Sequence, residues 1–241
     1  MINPKIAISG EILKEDYLLS SPYPNIVLSD FLDNTVLSMC EYEAKGISDN
    51  MDSEKWRFNE SDAHEDQVLK YGISNVEHMT PMLYAVSHYM NSPVFISFLR
   101  KLTGIEDLIG DPGLVGGGLH ITKKGGKLGI HHDFTDHIIN GVEYKRHVNL
   151  LIYLNKDWKQ EWGGNLELWS PDLSRMIKKL PIKFNNAVIF NIDNAPHGHP
   201  DPLACPPGES RRSLAFYYYS KEKTVHDFKR AWWLGSNGDY T

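Results

Sequence analysis

From residue 113 onward the chain is interrupted every few residues by glycine and asparagine, as at Gly116 to Gly118, Gly125 and Gly126, Asn140 and Gly141, Gly163 and Gly164, and Asn185 and Asn186. The runs between these punctuation points are too short for ordinary helices, which predicts many closely spaced strands and hence an all-β sandwich or barrel. Two of the runs alternate in the way a strand with unlike faces must. In HVNLLIYLN, His147, Asn149, Leu151 and Tyr153 share one face, and Val148, Leu150, Ile152 and Leu154 share the other. In RRSLAFYYYS, Arg211, Ser213, Ala215, Tyr217 and Tyr219 fall on one side. One apolar and one polar face per strand predicts a barrel with chemistry in its interior.

The first half reads as helices with short strands. NIVLSDF, from Asn25, predicts a strand entering a helix capped by Asp33 or Asn34. Residues 46 to 66 are polar and read as loop. In NSPVFISFLRKLTG, Ser92 is placed to cap, Pro93 to occupy the first helical position and Gly104 to end the helix. At 241 residues and 41% hydrophobic content, the chain suits one domain, with a support region over 1–112, a core over 113–220 and an extension over 221–241. A formal charge of −6 disfavours a nucleic-acid partner, which calls for a basic face. Cys40 and Cys205 lack metal-type spacing, so neither a zinc knuckle nor a disulfide framework is expected, and a reducing, cytoplasmic location fits. No leader-like or membrane-spanning apolar run is read in the sequence.

The densest polar stretch is GIHHDFTDH, 129 to 137. On a strand His131 and Asp133 point the same way and His132 the opposite way. A third ligand must come from a distant strand, and the candidates are His147, His197 and His199. His197 and His199 lie in the stretch after the strand-like run AVIFNI, where a chain leaving a strand can turn a side chain inward, and His197 is preferred. Two imidazoles and one carboxylate on one face of an ion leave positions open for substrate and oxygen on ferrous iron, although zinc accepts the same ligands. Arg211 with Ser213 beside it is built to hold a carboxylate through charge-assisted hydrogen bonds. A buried arginine there would be costly without an anion.

In order, His131-x-Asp133, RHVNLLIYLNKDW (146 to 158), GGNLELW (163 to 169), His197 and Arg211-x-Ser213 resemble the iron(II)/2-oxoglutarate-dependent oxygenases, in their prolyl 4-hydroxylase-like branch. The resemblance implies a mainly β fold with flanking helices, namely a double-stranded β-helix (jelly-roll, cupin-like) core with N-terminal helices packed on one sheet. It implies His131, Asp133 and His197 as iron ligands and catalytic residues. For 2-oxoglutarate it implies Arg211, Ser213 and Tyr153, with Asn149 beside the co-substrate or behind the ligands. The implied cofactors are Fe(II), 2-oxoglutarate and O2, with ascorbate in support. The implied reaction is hydroxylation of an unactivated C–H bond on a prolyl, peptidyl or amino-acid substrate, releasing succinate and CO2. A small metabolite or sugar derivative is the alternative substrate, and a non-catalytic metal-binding module the alternative role. One departure stands out: relatives often place a tyrosine on the strand before the first ligand, and residues 113 to 130 contain none. That implies a pocket completed by other residues.

The remaining polar and aromatic residues read more plainly. His132 is expected partly exposed, Asp136 and His137 solvated in a loop, and His120 in the core or at the pocket. Trp169, Tyr217 and Tyr219 read as core aromatics. The segment from Glu54 to Asp66 is a candidate lid, and Trp232 and Trp233 are expected to dock.

Overall fold

The computed structural model describes residues 1–51, 66–221 and 232–234. The strands are β1 (Asn25–Leu28), β2 (Gln67–Ile73), β3 (Ile109–Gly110), β4 (Gly118–His132), β5 (Asp136–Ile139), β6 (Val142–Tyr153), β7 (Leu166–Trp169), β8 (Met176–Leu180), β9 (Ala187–Asn191), β10 (His197–His199), β11 (Ser210–Ser220) and β12 (Trp232–Trp233). They join in one curled sheet ordered β1, β9, β6, β11, β4, β10, β7, β8, with β2 and β12 also on β4, β3 on β11 and β5 on β6. Strand β4 belongs to both layers: its first half pairs with β11 and its second half with β10. Between the halves Gly125 takes φ of 78°, a conformation open to glycine, and its N–H donates to the Leu203 carbonyl at 2.8 Å. The curl closes a double-stranded β-helix, as the sequence led us to expect.

Five α-helices are described, α1 (Pro4–Ala7), α2 (Lys14–Leu18), α3 (Asn34–Asn50), α4 (Pro81–Met90) and α5 (Pro93–Thr103). Asp33 caps α3 by accepting from the backbone of Thr35 and Val36. Ser92 accepts from Phe95, Pro93 opens α5, and Gly104 closes it at φ of 79°. The start of α4 is held by a carboxylate from its neighbour: Glu43 of α3 accepts from the Thr80 hydroxyl and from the Met82 and Leu83 amides.

The helices cover one face of the larger layer. Tyr71, Ile73, Leu119, Ile121, Val148, Leu150, Ile152, Leu214, Phe216 and Tyr218 pack with Leu37, Leu83, Phe95 and Leu99 in the larger core. A second cluster, with Tyr153, Leu166, Leu168, Ile182, Val188 and Phe190, lies between the layers. The helix-facing residues are the odd positions of β2 and β4 and the even positions of β11, so the residues between them project into the barrel. That alternation is what delivers His120, Thr122, Arg211, Ser213 and Tyr153 to the interior.

Two expectations change. Residues 46 to 50 are helical, because α3 buries a stripe of Leu37, Cys40, Ala44 and Ser48 that carries the helix through a polar sequence. Strand β1 stops at Leu28, because Asp30 turns the chain at φ of 51° and tucks Phe31 into the core. Residues 54–65 of the expected lid and most of the C-terminal extension lie outside the described residues. Cys40 and Cys205 are both buried free thiols. Among the described residues no helix is long and apolar enough to cross a membrane.

Candidate metal centre

Strand β10 pairs with β4 so that His197 stands opposite His131. Gly198 makes this approach possible: a Cβ there would run into the carbonyls of Gly129 and Leu128. Asp133 follows β4 directly, and donor atoms of His131, Asp133 and His197 all lie within 4.8 Å of one another. The Nε2 atoms of His131 and His197 stand 3.5 Å and 3.4 Å from the two Asp133 oxygens. All three side chains are buried.

The hydrogen bonds behind the rings decide what this cluster can hold. Nδ1 of His131 donates to the Gly129 carbonyl at 2.9 Å, and Nδ1 of His197 donates to the Ala195 carbonyl at 2.9 Å. A carbonyl only accepts, so each Nδ1 carries a proton and Nε2 is the ring atom turned inward. Burial, ahead of the other influences, pulls His197 down to about 4, so it is neutral near pH 7. For Asp133 burial alone would raise the carboxyl. The Arg146 guanidinium leads the influences that outweigh it and hold it well below the usual carboxylate range. Two imidazole Nε2 atoms and a carboxylate face one another, a donor set that suits a divalent cation.

Behind Asp133 sits a residue to which the sequence reading gave no role. Arg146, 1% exposed, places Nη2 at 2.9 Å from Asp133 Oδ2 and also donates to Asn149 Oδ1. Its guanidinium lies 3.3 Å from the centre of the Tyr217 ring. Simple alternation puts Arg146 with Val148 on the apolar face. A register shift against β11, where Tyr218 stands opposite Val148 and Tyr219 opposite Arg146, brings it into phase with Asn149 instead. Asn149 donates to Asp133 at 2.8 Å, so it lies behind that carboxylate.

Farther into the barrel Arg211, 4% exposed, donates to the Gly164 carbonyl, to Ser213 Oγ at 3.3 Å and to Tyr153 Oη at 3.5 Å. Ser213 and Tyr153 are themselves paired across β11 and β6. Arg211 has no carboxylate partner among the described residues. A buried cation without its anion is costly, and the hydroxyls that accept from Arg211 keep their own protons to donate. This is a fitting receptor for a carboxylate.

Other expected residues fall elsewhere. His147 sits at the register shift in β6, outside the converging group. His132 is buried rather than partly exposed, in the stretch of β4 that β12 covers. His137 and Asp136 belong to β5 and are engaged: His137 lies 3.2 Å from Asp111, and Lys145 holds Asp136 at 2.7 Å. His120 contacts the Gly116 carbonyl through Nε2. Trp169 donates to Glu167, Tyr217 donates to the Gly116 carbonyl, and Tyr219 is buried beside His137. Trp233 docks as expected, its ring stacked on that of His131 with centroids 4.6 Å apart.

With that geometry in place, the pattern of the 2OG-Fe(II) oxygenase superfamily matches residues 117–219, the span that contains the whole cluster and Arg211. Residues 117–219 carry the pattern of a 2OG-Fe(II) oxygenase domain. Among curated proteins the chain is similar to prolyl 3,4-dihydroxylase OGFOD1 of Ostreococcus tauri, 24% identical over 213 residues, which is 85% of this chain and 39% of that relative. The chain therefore spans well under half the length of the curated relative it matches. Among solved structures it resembles a Pseudomonas putida prolyl-4-hydroxylase, with TM-score 0.59, 16% identity, and coverage of 88% of this chain and 99% of that one. It also resembles a Trichoplax adhaerens prolyl hydroxylase in complex with a hypoxia inducible factor peptide fragment, with TM-score 0.61, 15% identity, and coverage of 90% and 91%. At these identities the likeness of the structures is one of fold.

Proposed function

We propose that this oxygenase domain is an iron(II)- and 2-oxoglutarate-dependent hydroxylase acting on an unactivated C–H bond, with a prolyl residue of a peptide or protein, or a free amino acid, as substrate. The observation that carries the reading is the pairing, inside one barrel, of an inward-facing His131, Asp133 and His197 cluster with a buried Arg211 that has no carboxylate partner among the described residues. In this reading His131, Asp133 and His197 hold Fe(II), and Arg211, Ser213 and Tyr153 hold the far carboxylate of 2-oxoglutarate. The iron, with 2-oxoglutarate and O2, supplies the oxidising power, releasing succinate and CO2, with ascorbate keeping it ferrous. The chain's own residues prepare and protect that chemistry. The Gly129 and Ala195 carbonyls fix which ring nitrogen is free, and Asn149 and Arg146 keep Asp133 ionised and oriented. The prolyl preference is supported by the three relatives named above, and a reducing, cytoplasmic setting by two buried free thiols.

The test is succinate release from 2-oxoglutarate under air with added Fe(II), with and without proline-containing peptides. Turnover should require iron, stop on chelation, and be lost in Asp133→Ala while the circular-dichroism spectrum is kept. Arg211→Met should raise the 2-oxoglutarate requirement by about tenfold or more, as expected for losing a charge-assisted carboxylate contact. Peptide-stimulated turnover supports the prolyl reading. Stimulation by a small metabolite alone moves the substrate to that class. Metal binding without turnover under any condition leaves a non-catalytic module and sinks the proposal.

A further inference from the structure

The interior end of the barrel holds more polar chemistry than Arg211, Ser213 and Tyr153. Strand β2 lies on the far side of β4 from β11, and the register places Lys70 opposite Thr122 and Thr122 opposite Arg211. Directly paired residues project from the same face of a sheet, so Lys70, Thr122 and Arg211 form one row across three strands. The next row is Gly72, His120, Ser213 and Tyr153, which lies on the same interior face. Two strand spacings separate Lys70 from Arg211, roughly 10 Å between backbones, and both side chains are long enough to converge over the small Thr122. The row exists because of a local distortion: the register shifts between Val68 and Lys70, with Leu69 at φ of 46° and exposed. The electrostatics agree with this placement. Burial first, and then the Arg211 charge, pull the Lys70 ammonium down to about 7.

From the other layer comes His199. Its side chain follows His197 on β10, is 2% exposed, and has neither ring nitrogen hydrogen-bonded among the described residues. A buried imidazole must donate from one nitrogen and accept at the other or forfeit the interactions it had in water, so a ligand or solvent in the pocket is its natural partner. After burial, the nearby charges that bear on it most are Arg211 and Lys70, followed by His131.

We propose that Lys70 and His199 complete the co-substrate pocket, so that the far carboxylate of 2-oxoglutarate is met by β2, β10 and β11 together rather than by Arg211 alone. Lys70 contributes a second positive charge and His199 a neutral ring N–H. The residues act as positioning and specificity groups for a dicarboxylate: a 2-oxo acid without the second carboxylate offers them no anion to hold. The inference rests on the co-substrate assigned under the proposed function and adds the residues that select it.

The test uses binding, not turnover. Protein loaded with Ni(II) under anaerobic conditions is titrated calorimetrically with 2-oxoglutarate and with 2-oxobutyrate, which shares the 2-oxo acid head and lacks the far carboxylate. Lys70→Met and His199→Leu should each weaken 2-oxoglutarate by about tenfold or more, the range for one charged or fully buried hydrogen bond. Both should leave the Ni(II) and 2-oxobutyrate affinities unchanged, and Lys70→Arg should restore the preference. Should His199→Leu misfold, His199→Gln keeps a donor of similar reach and is expected to retain most of the affinity. A variant that binds 2-oxoglutarate as the parent does removes its residue from the pocket, and for Lys70 it would place the ammonium toward the oxidised substrate instead. If the unsubstituted protein binds neither 2-oxo acid, the proposed function itself is overturned, an outcome distinct from equal binding by parent and variants.

Discussion

At the level of single side chains, each candidate ligand has a partner behind it that fixes its orientation. His131 and His197 lean on backbone carbonyls, and Asp133 leans on Asn149 and Arg146. Such partners typically tune metal affinity by about 10–100-fold. Arg146→Met removes the cation that keeps Asp133 ionised, and Fe(II) or Mn(II) affinity should fall by about that factor, measured by anaerobic metal titration; an unchanged affinity would mean that Arg146 only packs against Tyr217. Arg212 makes the reciprocal case. It faces the helices rather than the barrel, is buried, and donates to Ser210 with Glu41 3.5 Å away. Arg212→Met should therefore lower the melting temperature while 2-oxoglutarate affinity stays near the parent value, the opposite of Arg211→Met. The pair was legible in the sequence as two neighbouring arginines on opposite faces. That the second is also buried was not, because alternation gives the direction of a side chain and not what covers it.

At the level of elements, the ligands are brought together by two strands that the chain makes far apart. Gly198 sets how closely β10 can approach β4, since a methyl group there meets the carbonyls of Gly129 and Leu128. Gly198→Ala should push β10 outward, carry His197 with it and reduce metal affinity by about tenfold or more, with the helical circular-dichroism signal kept; metal affinity equal to the parent would show that β10 tolerates the shift. Much at this level could be read beforehand, because local chemistry dictates it. Ser92, Pro93 and Gly104 bound α5, and Asp33 caps α3. What escaped depends on distant partners. Helix α3 continues through a polar stretch because its buried stripe packs on the sheet, and Arg146 turns inward because β6 slips against β11. A period-2 reading of one strand cannot contain a slip that its neighbour imposes.

Across the whole molecule, the barrel interior concentrates buried histidines, and this gives the fold a pH signature. Burial holds His120 and His199 well below their ordinary value and takes His197 down to about 4. In the unfolded chain each protonates near 6.5, so below that pH the unfolded state binds more protons than the folded one, and stability falls as pH falls. Each contributes about 1.4 kcal/mol per pH unit until its folded value is reached. The melting temperature of metal-free protein should thus drop steadily from pH 7 to pH 5, and bound metal, which needs the unprotonated rings, should make the drop steeper. A flat profile would show these rings to be more solvated than the fold implies. In the proposed reading one barrel would hold an ion and a dicarboxylate side by side. That reading is tested most directly by an anaerobic crystal structure with Mn(II) and 2-oxoglutarate. The account predicts an ion bound by Nε2 of His131, Nε2 of His197 and the Asp133 carboxylate, with the far carboxylate of the co-substrate on Arg211. An ion bound elsewhere, or a co-substrate whose far end lies away from Arg211, would contradict it.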